Sequence, residues 1–75
     1  MPRPNPVKQV RETLDLSQSE FGRAIGITQA RVSQVEGNGG RLGRPAVLAL
    51  FNRYGPVVAR LELTMRDFLE ERGAT

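Results

Sequence analysis

Three side chains with strong hydrogen-bonding groups fall within six consecutive residues near the middle of the chain: Gln29, Arg31 and Gln34. A glutamine amide bonds two adjacent atoms on the edge of adenine, and an arginine fork binds two acceptors at once. Alone, the same residues also fit the solvent-facing side of an ordinary helix. Which of the two roles applies depends on the elements that hold them.

Other kinds of chemistry are poorly supported. The sequence has no cysteine and no histidine, so it lacks thiolate metal ligands, the commonest zinc ligand and the commonest general base. Carboxylates are scattered singly, apart from Glu70 and Glu71, which fit a solvated helix end. We predict that the protein is not an enzyme and that it binds no metal and no cofactor.

Basic charge is concentrated in the first part of the chain. Residues 1–55 hold eight basic and four acidic side chains, whereas residues 56–75 hold three basic and four acidic ones. Nearly all the basic residues are arginines, which suit contacts with phosphates and base edges. An ordinary soluble surface explains the charge equally well.

The N-terminus is proline-rich and has no apolar segment of the kind found in signal peptides. Alternating prolines favour a flexible, extended arm over residues 1–5, in which Arg3 either follows a DNA groove or is simply disordered. No apolar run approaches the ~20 residues that span a bilayer. We expect a cytoplasmic, nucleoid-associated protein that does not contact membranes.

Capping residues and apolar spacing predict four helices before residue 56. A glycine-rich loop over residues 37–44 separates the third helix from the fourth. The predicted helices are 6–14 after the cap Asn5, 18–25 after the capping box of Ser17 and Glu20, about 28–36 between Thr28 and Gly37, and a fourth from Pro45 to Gly55 and Pro56.

The end of the chain supports more than one interpretation. Residues 57–63 alternate as a half-buried strand does but also fit a helix, whereas Thr64 and Asp67 predict a helix over 64–72. The apolar residues of this C-terminal segment are too many to be left exposed to water, so they complete the core, form a dimer interface, or both. The candidate dimer residues are Leu61, Met65, Phe68 and Leu69.

The second and third predicted helices are joined by a tight turn. Gly22 and Ala24 are small enough for two helices to approach closely, and Gly26 permits the turn. Val32 and Val35 anchor the third helix from behind, so its other faces point outward. A helix that protrudes in this way fits the major groove of B-DNA.

Residues 17–38 resemble the helix-turn-helix of phage Cro and CI repressors and their XRE-type relatives, and the likeness extends over about residues 6–54. The matching positions are Gln18, Gly22, Gly26, Thr28, Val32, Val35 and the run Glu36, Gly37 and Asn38. The resemblance implies an all-α fold, a compact bundle of four to five helices like that of lambda repressor.

The resemblance also implies roles for individual positions. The implied base contacts are Gln29, Ala30, Arg31, Ser33 and Gln34. The implied phosphate contacts are Gln18, Thr28, Arg41 and Arg44. Arg11 and Glu36 match a pair that forms an internal salt bridge.

We therefore expect a homodimer that binds double-stranded DNA and takes no small-molecule ligand. Residues 6–55 would form the DNA-binding domain of a Cro-like repressor, with the third helix in the major groove, and residues 56–75 would complete the core and the dimer. A two-fold dimer favours a palindromic operator with half-sites ~34 Å apart. The alternative is a protein-interaction module, such as an antitoxin-like docking domain that uses the apolar C-terminal face.

Overall fold

The computed structural model describes residues 5–69, which form five helices and contain no strand. The helices are α1 (Pro6–Thr13), α2 (Gln18–Ile25), α3 (Gln29–Asn38), α4 (Arg44–Arg60) and α5 (Met65–Phe68). The predicted all-α class is confirmed. Residues 1–4 of the predicted arm over residues 1–5, and the pair Glu70 and Glu71, lie outside the described residues. Within residues 5–69, no helix is long and apolar enough to cross a membrane.

The predicted caps are present at the first three helices. The Asn5 and Thr28 side chains each accept a hydrogen bond from the backbone N–H three residues further on, at 3.1 and 3.0 Å. At α2, the Glu20 N–H donates to the Ser17 hydroxyl, and the Ser17 N–H donates to the Glu20 carboxylate, at 3.0 and 2.9 Å. These contacts satisfy N–H groups that a helix start leaves without partners, which explains why the start of α2 agrees with the prediction.

Asn5 has a second role, which ties the start of α1 to the end of α3. Its Nδ2 donates to the carbonyl oxygens of Val35 and Glu36, at 3.2 and 3.0 Å. Both carbonyls lie in the last turn of α3, where a helix leaves carbonyl oxygens without partners inside the helix. The Val35 carbonyl also accepts from the backbone N–H groups of Gly39 and Gly40. Asn5, the last residue of the predicted flexible arm, is therefore bound to the folded helices.

The end of α3 differs from the prediction, because Gly37 lies inside the helix. Left-handed backbone is adopted by Gly39 and Gly40, with φ of 112° and 81°. The Gly40 N–H donates to the Val35 carbonyl at 2.9 Å, and a Cβ at Gly40 would lie 2.6 Å from Pro6 Cδ. Gly39 therefore caps the end of α3, and packing against α1 requires glycine at the next position, Gly40.

The fourth helix was predicted to end at Gly55 and Pro56, and the structure has a kink there, although a second helical stretch follows it. Tyr54 has non-helical φ and ψ of −125° and 26°, and helix then resumes to Arg60. A proline lacks an N–H and its ring clashes with the carbonyl four residues earlier. The break at Tyr54 relieves this clash, so Pro56 fits the start of a second helical stretch.

The strand considered for residues 57–63 is not formed. Residues 57–60 are helical and residues 61–62 form a turn. Val58 faces the core with 1% of its surface exposed, while Leu61 and Leu63 pack against the core from its edge. The alternating pattern therefore arose from a helix followed by a turn in which Glu62 has a φ of 60°.

The helix predicted over residues 64–72 is shorter in the described part. The Thr64 N–H donates to Asp67 Oδ2 at 2.7 Å, as the capping pattern predicts. The helix ends at Phe68, and Leu69 is extended and forms a parallel bridge with Leu42. Pairing with the α3–α4 loop thus competes with continuation of the helix.

One core of twelve buried apolar side chains joins all five helices. Leu14 and Phe51 are only half-buried and pack against this core. The buried set is Val7, Val10, Phe21, Ile25, Val32, Val35, Leu42, Ala46, Val47, Leu50, Val58 and Phe68.

Candidate nucleic-acid interface

The α3 helix buries one side and presents the other to solvent. Val32 and Val35 are 0% and 2% exposed and hold the helix against the core. The opposite side carries the predicted base contacts, of which Arg31 is half-buried and the others are exposed: Gln29, Ala30, Ser33 and Gln34. Five predicted side chains thus lie on the outward part of a helix that is fixed from behind.

The crossing of α2 and α3 is as close as the small residues predict. A Cβ at Gly22 would lie 2.7 Å from the Ile27 carbonyl oxygen and 3.1 Å from Val32 Cγ2. Gly26 ends α2 with a φ of 81°, in the left-handed region that favours glycine. Gly22 allows α2 and α3 to pack closely, and Gly26 allows the tight turn between them. Together they determine the angle between the two helices.

A hydrogen bond links two of the outward side chains. Arg31 Nη1 donates to Gln34 Oε1 at 3.2 Å. The two residues are three apart, a spacing that places side chains next to each other on a helix surface. Arg31 and Gln34 therefore face the same region beyond α3.

The predicted pair of Arg11 and Glu36 is present and joins α1 to α3. Arg11 donates through Nε to Glu36 Oε2 at 2.6 Å and through Nη2 to Oε1 at 3.1 Å. Side-chain exposure is 15% for Arg11 and 7% for Glu36. Gln18 Nε2 adds a third bond to Oε1 at 3.2 Å, so a predicted phosphate contact is oriented by the same carboxylate.

Electrostatics in this cluster favours the charged forms. Burial raises the pKa of Glu36, but hydrogen bonds from Arg11 and Gln18, together with the charges of Arg11 and Lys8, outweigh burial and lower it below 4.5. The hydrogen bond to Glu36 raises the pKa of Arg11. The pair is therefore ionised at neutral pH and holds α1, α2 and α3 together.

Two other predicted phosphate contacts lie at helix starts. Thr28 is exposed and caps α3. Arg44 is exposed at the first position of α4, after Gly43, whose cap position supplies no side-chain acceptor. Partial positive charge at a helix start attracts anions, so both residues suit a contact with the DNA backbone.

The remaining predicted phosphate contact, Arg41, has an intramolecular partner. Its Nη1 donates to the carbonyl oxygens of Arg66 and Leu69, at 2.8 and 3.2 Å. These carbonyls belong to α5 and the residue after it. The guanidinium thereby attaches the α3–α4 loop to the C-terminal segment.

The apolar C-terminal face is mostly used inside the protein. Phe68 is fully buried, and its ring packs edge-on against Phe51 with centroids 5.7 Å apart. Leu61 and Leu69 are half-buried, which leaves Met65, 36% exposed, as the open member of the predicted dimer set.

Two contacts that hold the interface were not predicted from the sequence. Asn5 binds α3 across 30 residues, and Arg41 binds the Arg66 carbonyl across 25 residues. A local signal for the second contact is Leu42, an apolar residue inside a glycine-rich and arginine-rich loop. From this residue, burial of part of the loop could have been predicted.

Comparison with known proteins gives one match. Residues 7–55 match the helix-turn-helix family, and this range covers α1 from its second residue, α2, α3 and the first stretch of α4 as far as the kink. Neither the curated proteins nor the solved structures give a significant match to the chain.

Proposed function

Because this chain belongs to the XRE-type helix-turn-helix family of DNA-binding transcription regulators, we propose that it is a Cro-like repressor that recognises a palindromic operator. The exposed polar side of α3 carries this proposal. It lies opposite Val32 and Val35, which anchor the helix. An anchored helix with a polar outer side fits the major groove.

Base edges are contacted by side chains on α3, and the backbone is contacted from helix starts. Gln29 and Gln34 form hydrogen bonds with bases, Arg31 and Ser33 lie beside them, and Ala30 suits apolar contact with a thymine methyl group. Phosphates are bound by Gln18, Thr28 and Arg44, which set the orientation of the protein on the duplex. Arg41 supports this arrangement from within the α3–α4 loop.

Operator recognition requires a second copy of the chain. One protomer measures 36 × 27 × 26 Å, so two protomers side by side would be long enough to reach half-sites one turn of DNA apart, ~34 Å. Met65 is exposed beside the half-buried Leu61 and Leu69. We assign the dimer interface to these three residues, whereas Phe68 supports them from the core.

Selection from a random pool of duplex DNA at about 0.15 M salt tests the function, since non-specific binding is weak under those conditions. We expect an enriched inverted repeat. The double variant with Gln29→Ala and Gln34→Ala should lose the enrichment, and the matched control Arg60→Ala, on the second stretch of α4, should keep it.

Salt dependence separates this function from a protein-docking role. Binding of the selected duplex should weaken steeply as salt rises, because neutralised phosphates release counterions. A pool without enrichment, together with binding that does not change with salt, would contradict DNA recognition.

A further inference from the structure

We propose that Arg31 fixes the amide of Gln34 so that Gln34 presents only N–H donors to the DNA and thereby selects guanine. This inference rests on the proposed function, since it requires α3 to lie in the major groove. The observation behind it is the bond from Arg31 Nη1 to Gln34 Oε1 at 3.2 Å.

The chemistry of the pair fixes the orientation of the amide. A guanidinium carries donors and no acceptor. The Gln34 atom that faces Arg31 must therefore be the oxygen, and the NH₂ group is left to point away from the pair. Gln34 is exposed on the outer side of α3, so the NH₂ group is available to a ligand there.

Adenine and guanine differ in how well their edges match such an amide. A glutamine whose oxygen and nitrogen are both available matches adenine, which offers an N7 acceptor beside an N6 donor. Guanine offers two adjacent acceptors, N7 and O6. An amide that presents only donors matches guanine, and at adenine one donor would face another.

The strength of the hydrogen bond between Arg31 and Gln34 depends on whether water surrounds it. In water, neighbouring exposed side chains three residues apart on a helix interact weakly. In a groove from which water is displaced, water cannot replace the hydrogen bond between Arg31 and the Gln34 amide oxygen. Breaking this bond there is therefore more costly than in water. Arg31 therefore acts on specificity as a positioning residue, through Gln34.

The test compares base preferences in selections from one random duplex pool. Gln34→Ala identifies the base pair that Gln34 recognises, as the position where the preference is lost while the rest of the operator is still enriched. At that position the wild-type protein should favour guanine over adenine by roughly 5- to 150-fold, the range for a good base contact.

Two variants of Arg31 then isolate its contribution. Arg31→Ala frees the amide oxygen, so the preference at the same position should change from guanine to adenine. Arg31→Lys retains a positively charged donor near Gln34 and should keep guanine. Continued enrichment of the other operator positions shows that each variant is folded.

Three results would overturn the inference while leaving DNA recognition intact: adenine at the Gln34 position in the wild type, no position that responds to Gln34→Ala, or the same preference in Arg31→Ala. The last result would mean that Arg31 contributes only sequence-independent affinity. Absence of any enriched operator for the wild-type protein would instead overturn the proposed function, and this inference with it.

Discussion

The backbone N–H of Leu42 donates to the carbonyl oxygen of Phe68 at 2.6 Å, and the side chains of both residues are fully buried. This contact brings the loop that leads into α4 against the end of α5. Arg41 reinforces it with two bonds to carbonyl oxygens of the same segment. The C-terminal segment therefore supports a loop on the proposed DNA-binding side, although it lies outside the family match over residues 7–55.

Removal of the Phe68 ring should destabilise the whole domain. Phe68→Ala leaves a cavity beside Leu42 and Phe51 and is expected to lower the free energy of unfolding by about 3–5 kcal/mol. Urea denaturation measures the change, with the milder Phe68→Leu for the case in which the alanine variant does not fold. Met65→Ala is the control, since Met65 is 36% exposed and its truncation should change protomer stability by less than about 1 kcal/mol. Equal losses for Phe68→Ala and Met65→Ala would contradict the burial that we describe.

Arg41 and Arg44 should respond differently to removal. Arg44→Ala is expected to reduce the slope of log affinity against log salt by about one, because one phosphate contact is lost. Arg41→Ala should leave that slope nearly unchanged and lower the melting temperature, since its guanidinium binds carbonyl oxygens of the C-terminal segment. Both quantities come from DNA-binding titrations at several salt concentrations and from thermal melts. The assignment fails if Arg41→Ala lowers the salt slope without changing the melt.

The cluster around Glu36 should make stability depend on pH in the acid range. Its pKa is lower in the folded protein than the usual 4.5, so the unfolded state binds a proton first as pH falls. The stabilisation is complete above pH 4.5 and is lost as pH falls through the lower folded value. Glu36→Gln removes the titrating group and should flatten the melting temperature between about pH 5 and pH 3.

Glu20 provides the matched control for this experiment. Its pKa is also lowered, by bonds from the Ser17 backbone and side chain, but it is exposed and lies outside the Arg11 cluster. Glu20→Gln should therefore not change the loss of stability in acid that is due to Glu36. A Glu36→Gln protein that loses stability in acid as steeply as the wild type would exclude Glu36 as the cause.

Two glycines in helices should respond to alanine with opposite signs. At Gly22, a Cβ would lie 2.7 Å from the Ile27 carbonyl oxygen, so Gly22→Ala forces α2 and α3 apart and should cost about 1–3 kcal/mol. At Gly37, no atom lies within 4 Å of the added Cβ, and alanine favours helix over glycine by up to about 1 kcal/mol. Thermal melts should show a lower midpoint for Gly22→Ala and a higher one for Gly37→Ala. Loss of DNA affinity should accompany only Gly22→Ala.

The first three helices were predictable from the sequence because their signals are local. Asn5, Ser17 and Thr28 each bind a backbone group within three residues, and the apolar spacing identifies the inward sides of the helices. The pair of Arg11 and Glu36 was also anticipated, although only through resemblance to a family. Nothing within a short window of the sequence connects residues that lie 25 apart.

The errors occur where tertiary packing chooses among local options. Several glycines follow Val35, and it is contact with Pro6 that requires glycine at position 40. Gly55 and Pro56 predict a helix end, yet a single non-helical residue, Tyr54, is enough for helix to resume. The extended conformation of Leu69 depends on Leu42, which no helix pattern contains.

The bonds from Asn5 to α3 and from Leu42 to Phe68 close two successive segments of the chain, residues 5–36 and 42–68. The two closures are similar in length, so they cost similar entropy, and neither encloses the other. The first segment contains all the proposed base-contacting residues, and its closure does not require the second. The part of the protein proposed to distinguish bases thus has its own closure, and the segment closed by Leu42 and Phe68 supports the proposed contact with the DNA backbone.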